Sequence, residues 1–245
     1  MKAIMLVAGY ATRLYPLTEN MPKGLLKLNG RAIIDYTFDK LEKIKEIDEA
    51  ILVSNSKFYD QFCNWANNYK GRIKITVLND GTTSNDNRLG AIGDMQFAIQ
   101  NCHIDDEIMV LASDNYFTFE LIDYYNFYKE KDCDCILGCT FENLDYLAKN
   151  FAVATLDEFG KVTSLVEKPG TTTSNIGIWA TYIYKRETVP MIKKYLDDGN
   201  NKDAPGNFPS WLYKIKPIYT YLFDGECYDI GTIEVYNNLN EKLSK

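Results

Sequence analysis

Short, strongly apolar runs alternate with stretches whose apolar residues recur at helical spacing, and this alternation confines the chain to an α/β fold. Ala3–Val7 is rich enough in aliphatic residues to be a buried parallel strand. Ile33, Ile34, Tyr36, Thr37, Phe38, Leu41 and Ile44 then fall at helical spacing, with lysines and a glutamate among them. Ala50–Val53 predicts a second strand. Phe58, Phe62 and Trp65 mark a second amphipathic helix, and Ile73–Leu78 a third strand. That order predicts a parallel sheet with right-handed crossovers. Between the first strand and the first helix, Leu25–Leu28 reads as a short strand and Asn29-Gly30 as a turn. Further on, Ile92, Met95 and Ile99 share a helical face, Ile108–Ala112 is a strand and Leu121–Tyr128 a helix. Cys135–Phe141 is a strand, and Phe151–Leu156 with Lys161–Val166 predicts a hairpin. Ile178–Tyr184 and Ile218–Phe223 are strands, and a helix closes the chain. A length of 245 residues fits one large α/β domain or two small ones. No repeat, low-complexity tract or linker interrupts it, so the reading is a single domain over residues 1–245.

Several classes are disfavoured. The net charge of −7 argues against non-specific nucleic-acid binding, and an anionic ligand would need local cations and a metal. Met1-Lys2 leads directly into a strand, with no basic segment, apolar core and cleavage site, and no apolar run approaches the ~20 residues of a membrane helix. A cytoplasmic protein without membrane contact is expected. Cys133, Cys135 and Cys139 fit either buried thiols on one strand face or a metal cluster, but their spacing matches no standard zinc pattern. The single histidine, His103, lies in a polar turn, which makes histidine acid–base chemistry improbable.

The first strand runs into Ala8-Gly9-Tyr10-Ala11-Thr12-Arg13, and Lys23 follows after Pro16 and Pro22. Small residues allow backbone N–H groups to approach a bulky anion, and two fixed cations are what a triphosphate needs. An ordinary strand-to-loop turn with solvated cations fits the same residues. The third strand ends at Asn79 in a polar segment reaching Asn87, and Gly90-Ala91 opens a helix. Such a segment is either a surface loop or, at the C-terminal end of a parallel strand, part of a ligand site. The Asn79 carboxamide offers both a donor and an acceptor, and could face a pyrimidine in either orientation. The strand Ile108–Ala112 ends at Ser113-Asp114, where Asp114 is either a turn residue or a candidate Mg²⁺ ligand.

Taken together these strings resemble the sugar-phosphate nucleotidyltransferase family, which includes the glucose-1-phosphate thymidylyltransferases and, more distantly, the phosphocholine cytidylyltransferases. Thr12-Arg13-Leu14, Pro16-Leu17-Thr18 and Pro22-Lys23 match its signature in order and spacing. Ala8 and Ala11 stand where many relatives have glycine, so the loop is expected to use φ < 0 there or differ slightly in shape. Ser113-Asp114-Asn115 matches the string whose Asp binds metal, with Ser113 replacing a glycine, and Asp229-Ile230-Gly231-Thr232 matches the second metal string. Glu167-Lys168-Pro169 and Asn175-Ile176-Gly177 match two substrate-contacting turns. Plain turns and a surface ion pair fit these last two strings as well.

The resemblance implies a Rossmann-like three-layer nucleotidyltransferase fold with a mostly parallel central sheet, and a Mg²⁺-dependent transfer from a nucleoside triphosphate to a phosphorylated acceptor. Nucleotide would be held by Ala8, Gly9, Tyr10, Ala11, Thr12, Arg13, Lys23, Asn79, Gly90, Ser113 and Asp114. Asp114 and Asp229 would hold Mg²⁺. Glu167, Lys168, Asn175 and Gly177 would bind the acceptor, and Arg13, Lys23 and Lys168 would act on the reacting phosphates. A sugar 1-phosphate and a pyrimidine triphosphate are the preferred substrates. A cytidylyltransferase for a non-sugar acceptor such as phosphocholine or a phosphonate is the alternative, with Phe117, Trp179 and Trp211 available to a cationic head group. A non-catalytic regulatory subunit is a third reading, and the sequence leaves self-association open.

Overall fold

The computed structural model describes residues 1–244. In chain order the elements are β1 (Lys2–Leu6), β2 (Lys27–Leu28), β3 (Arg31–Ala32), α1 (Ile33–Leu41), β4 (Glu49–Ser54), α2 (Tyr59–Asn68) and β5 (Lys74–Asn79). Then come α3 (Ala91–Asn101), β6 (Ile108–Ala112), β7 (Asn115–Phe117), α4 (Leu121–Lys131), β8 (Asp134–Thr140), α5 (Leu144–Asn150), β9 (Ala152–Leu156) and β10 (Val162–Glu167). The chain continues through β11 (Ile176–Tyr184), α6 (Val189–Asp197), α7 (Asn207–Leu212), β12 (Ile218–Leu222), β13 (Cys227–Asp229) and α8 (Ile233–Leu243). These elements fall into two compact units. The first gathers residues 1–88, 111–122 and the segment from Gly225 onward; the second comprises 89–110 and 123–224.

In the first unit β1, β4 and β5 pair in parallel, with Leu6 opposite Val53 and Ser54 opposite Asn79. The expected strand–helix–strand order is what makes them parallel, since each crossover carries a helix. Ala3, Ile4 and Met5 are fully buried, as are Leu52 and Val53 of β4. Two short antiparallel ribbons accompany them, β2 with β3 and β7 with β13. Leu14, Leu26, Leu28 and Ile33 pack with Ile230 and Leu239 in one apolar cluster, so the end of the chain is welded to its beginning. Thr232 caps α8 by accepting the Val235 N–H at 3.3 Å.

The second unit is mixed. β8 lies between β11, which runs antiparallel to it, and β12, which runs parallel. β9 joins β11 and β10 in antiparallel pairs, so the predicted hairpin is present. Asp134 is wholly buried and satisfied by Lys216 Nζ at 3.0 Å, the Thr188 hydroxyl at 2.8 Å and the Lys185 N–H at 2.7 Å. All six cysteines are free thiols. Cys133 precedes β8, Cys135 is buried in it, and Cys139 accepts the Trp179 indole N–H at 3.2 Å.

Candidate active site

The first unit brings Lys23, Asp114 and Asp229 together. Pro22 opens a 3-10 turn over Lys23–Leu25, which buries the lysine stem and leaves its side chain only 10% exposed. Lys23 Nζ donates to Asp114 Oδ2 at 2.6 Å and to Asp229 Oδ1 at 3.4 Å. The ribbon β7–β13 is what places the two carboxylates. It pairs Asn115 with Asp229, and the Ile230 N–H donates to the Asp114 carbonyl at 3.1 Å. Burial and the neighbouring Asp114 charge push the Asp229 carboxyl above its usual range, and Lys23 and Arg13 oppose the rise. Gly231 lies close to the Arg13 guanidinium, since a Cβ there would come 3.5 Å from Nη2. The string Asp229-Ile230-Gly231-Thr232 thus supplies a carboxylate, a core residue, a gap beside Arg13 and a helix cap.

A cavity of about 170 Å³ lies against this cluster, lined by Gly9, Ala11, Arg13, Lys23, Ser113 and Asp114 among others. Gly9 faces open space, while Ser113 packs against Gly24. Thr12 and Arg13 are exposed at the following 3-10 turn. Tyr10 is expected at the ligand through its place in the loop, but its ring is buried near Phe58, with centroids 6.5 Å apart, so the loop offers its backbone there. Of the two alternatives expected at Ala11, φ < 0 or a different loop shape, the first does not hold. Ala11 sits at φ 48°, in the left-handed region, where its carbonyl accepts the Thr18 hydroxyl at 2.7 Å and the Leu14 N–H at 2.9 Å. These bonds offset the ~1–2 kcal/mol that the conformation costs an L-residue with a Cβ.

Two carboxylates that converge on one ammonium group fit a hard divalent cation: the donors are oxygen, anionic, and already share a positive partner. Among the described residues no cluster of three or more acidic, thiol or imidazole groups forms a fuller cage.

Asn79 ends β5, exposed, with its orientation set. Its Oδ1 accepts the Ser56 hydroxyl at 3.0 Å and the Gly81 N–H at 2.9 Å, which leaves the amide NH₂ as the group on offer.

The second unit carries the remaining predicted residues. Glu167 ends β10 with its side chain only 16% exposed, and its partner is Lys168 Nζ at 3.9 Å. Burial raises its carboxyl above the usual range, and Lys168 only partly opposes that. Lys168 is exposed, at φ 45°. Gly206, which precedes α7, lies directly against the Glu167 carboxylate. Gly90 has φ 82°, and the Lys202 carbonyl would be 2.6 Å from any Cβ there, so both the backbone and the contact call for glycine. Asn175 is exposed, and its carbonyl accepts the Phe141 N–H at 2.8 Å. Gly177 is buried within β11 under the Phe141 ring and Leu147, which gives it a packing role. Of the aromatic residues named for a cationic head group, Phe117 is 2% exposed, and Trp179 at 6% packs on Phe141 and Phe151.

Sequence reading missed Asn55 and Gly206. Asn55 directly follows a buried strand yet is itself wholly buried, and a polar residue in that place is the available signal. Gly206 follows Ala204-Pro205 and reads as an ordinary turn.

An α/β unit whose first strand opens onto a cation-lined loop, with two carboxylates behind it, defines a class of phosphate-handling proteins. The profile of the nucleotidyl transferase family matches residues 2–245. The chain belongs to that family and is an enzyme of the nucleotidyltransferase class. It is similar to the UTP–glucose-1-phosphate uridylyltransferase of Haloferax volcanii, with 26% identity over 75% of this chain and 72% of that protein. A glucose-1-phosphate adenylyltransferase of Desulfitobacterium hafniense is 25% identical over 98% of this chain, which spans 63% of the relative's length. Among solved structures, a UDP-glucose pyrophosphorylase in complex with UDP-glucose superposes with a TM-score of 0.83 at 17% identity, covering 99% of this chain and 98% of that one. That likeness shows the fold, the three-layer Rossmann-like class with mostly parallel core strands. No described helix is long and apolar enough to cross a membrane.

Proposed function

We propose that the protein transfers a nucleotidyl group from a pyrimidine nucleoside triphosphate to a sugar 1-phosphate, releasing pyrophosphate, in the cytoplasm, and that both units serve this one activity as a single domain. The observation that carries the reading is the convergence of Asp114 and Asp229 on Lys23 beside the first loop. Sugar 1-phosphates are named in both relatives described above, and UDP-glucose in the solved neighbour.

A phosphate monoester is already ionised near neutral pH, so no protein base is needed to make it a nucleophile. Catalysis is then mostly positioning and charge stabilisation. Arg13 neutralises charge building on the leaving pyrophosphate, and Lys23 does so at the α-phosphate. Lys168 holds the acceptor phosphate. Glu167, with lone pairs to spare and little water around it, accepts from sugar hydroxyls. Asp114 and Asp229 would hold Mg²⁺, which, when bound, supplies positive charge to the phosphate oxygens. Asn79 presents its NH₂ to a base carbonyl, and every common pyrimidine carries one at C2.

The test is pyrophosphate release across the four common ribonucleoside triphosphates and dTTP, each against glucose 1-phosphate, mannose 1-phosphate and phosphocholine. Turnover with a pyrimidine triphosphate and a sugar phosphate is expected. Turnover confined to phosphocholine would replace the acceptor assignment, and a purine preference would replace the base assignment.

A further inference from the structure

The loop Ala8–Ala11 leaves its backbone donors open. Among the described residues, no acceptor pairs with the N–H groups of Ala8, Gly9, Tyr10 or Ala11. Its carbonyls are treated differently. The parallel ladder between β1 and β4 ends where the Val7 N–H donates to the Val53 carbonyl at 3.1 Å. Continuing that register puts Ala8 level with Asn55. There a side chain takes over from the strand: Asn55 Nδ2 donates to the Ala8 carbonyl at 2.8 Å. The orientation of that amide is fixed, because its Oδ1 accepts the Phe58 N–H at 3.1 Å just ahead of α2. Three residues past Ala8, the Ala11 carbonyl is held by the Thr18 hydroxyl at 2.7 Å. Asn55 and Thr18 are each 0% exposed.

A loop can present N–H groups to an anion only if the intervening carbonyls point elsewhere, since a carbonyl aimed at phosphate repels it. Turning a carbonyl into the protein leaves it unsatisfied unless a buried donor meets it. Two buried side chains supply those donors, one from the end of the neighbouring strand and one from the far side of the same loop. Each sits behind the loop and spends its donor on a loop carbonyl.

We propose that Asn55 and Thr18 are positioning residues of the nucleotide loop: they pin the Ala8 and Ala11 carbonyls inward and so fix the loop N–H groups in the orientation that receives phosphate. This rests on the reading that the loop holds a triphosphate. The pair acts through backbone geometry, so its effect is confined to the polyphosphate and does not extend to the acceptor.

The experiment measures tripolyphosphate binding by calorimetry, and KM for each substrate with kcat, on the full chain. The variants are Asn55→Asp, which keeps the shape and loses the donor, Thr18→Val, and Thr18→Ser, which keeps the hydroxyl. Thermal melts establish that each is folded. Asn55→Asp and Thr18→Val are expected to weaken tripolyphosphate binding and raise the triphosphate KM at least tenfold. KM for the acceptor should stay within twofold, and Thr18→Ser should stay within threefold of the parent in every parameter. Folded variants with parental tripolyphosphate affinity, or variants that lose both substrates equally, would overturn the assignment. If Thr18→Val does not fold, the near-isosteric Asn55→Asp decides alone by the same criteria. Failure of the unmodified protein to bind tripolyphosphate would instead remove the loop from phosphate binding, and with it both readings.

Discussion

The Glu167 carboxylate occupies the space that a side chain at residue 206 would need: any Cβ at Gly206 would collide with Glu167 Oε2. The backbone there is ordinary helical, φ −70° and ψ −12°, so conformation does not call for glycine and the contact does. Gly206→Ala should therefore push the carboxylate aside while leaving α7 intact. KM for the sugar phosphate is expected to rise ~10–100-fold, the scale of a misplaced substrate contact, with the triphosphate KM unchanged. Equal loss for both substrates in initial-rate kinetics would show a wider disturbance.

Glu167 should also cost the resting protein stability. Its carboxyl is raised by burial, so the native state favours the neutral form. The stability it contributes is fully present below the ordinary carboxylate range and is lost as pH rises through the raised folded value. At pH 7–8 Glu167→Gln should then raise Tm, and the gain should vanish near pH 4, where the glutamate is itself neutral. The same variant should lower kcat/KM for the sugar phosphate. Calorimetric melts across pH, paired with kinetics, check both halves.

Asp114→Asn and Asp229→Asn should each reduce turnover by at least ~100-fold with the fold intact, since Asn keeps the shape and loses the charge a hard cation requires. Metal removal with a chelator should abolish turnover in the parent, and added Mg²⁺ should restore it. A variant that keeps near-parental rates at equal Mg²⁺ would take its residue out of the metal site.

Ala11→Gly isolates the cost of the left-handed loop position. Glycine removes ~1–2 kcal/mol of strain at φ 48° but adds ~0.5–1 kcal/mol of unfolded-state freedom. A stability change between zero and about 1.5 kcal/mol in favour of glycine is expected by urea denaturation. Clear destabilisation would mean that the Ala11 methyl packs productively.

Asn79→Ala should lower kcat/KM for the preferred triphosphate and narrow its lead over the others by ~1–3 kcal/mol. An unchanged ranking in competition assays would move base selection to another group.

The sequence carried the broad plan because that plan is local. Each buried strand of the first unit announces itself by an aliphatic run, and Arg13, Lys23, Asp114 and Asp229 stand in recognisable strings. What the strings could not convey is that Lys23 is buried between two carboxylates lying 91 and 206 positions away. The ribbon that makes this meeting has three residues per strand, too short for any periodicity. α7, with six residues, escapes the same test, and α5 and α6 are also absent from the sequence reading. The role of Asn55 is not legible in the sequence because its partner is a backbone carbonyl, which no residue identity encodes. The positive φ at Ala11 is held by the Thr18 hydroxyl, a bond invisible until the loop is folded.

The ribbon β7–β13 has a consequence for how the protein is made. Unit one is assembled from three separate stretches, and its last stretch brings Asp229, Ile230 and Leu239 to residues near the start. A growing chain that has passed Asp114 therefore holds Lys23 with only one of its two carboxylates. Closing the set requires contacts of long sequence separation, the slow kind in folding. The nascent chain carries the strings of the family long before the Lys23 cluster can close, and it closes only once the segment following Gly225 has been synthesised and docked.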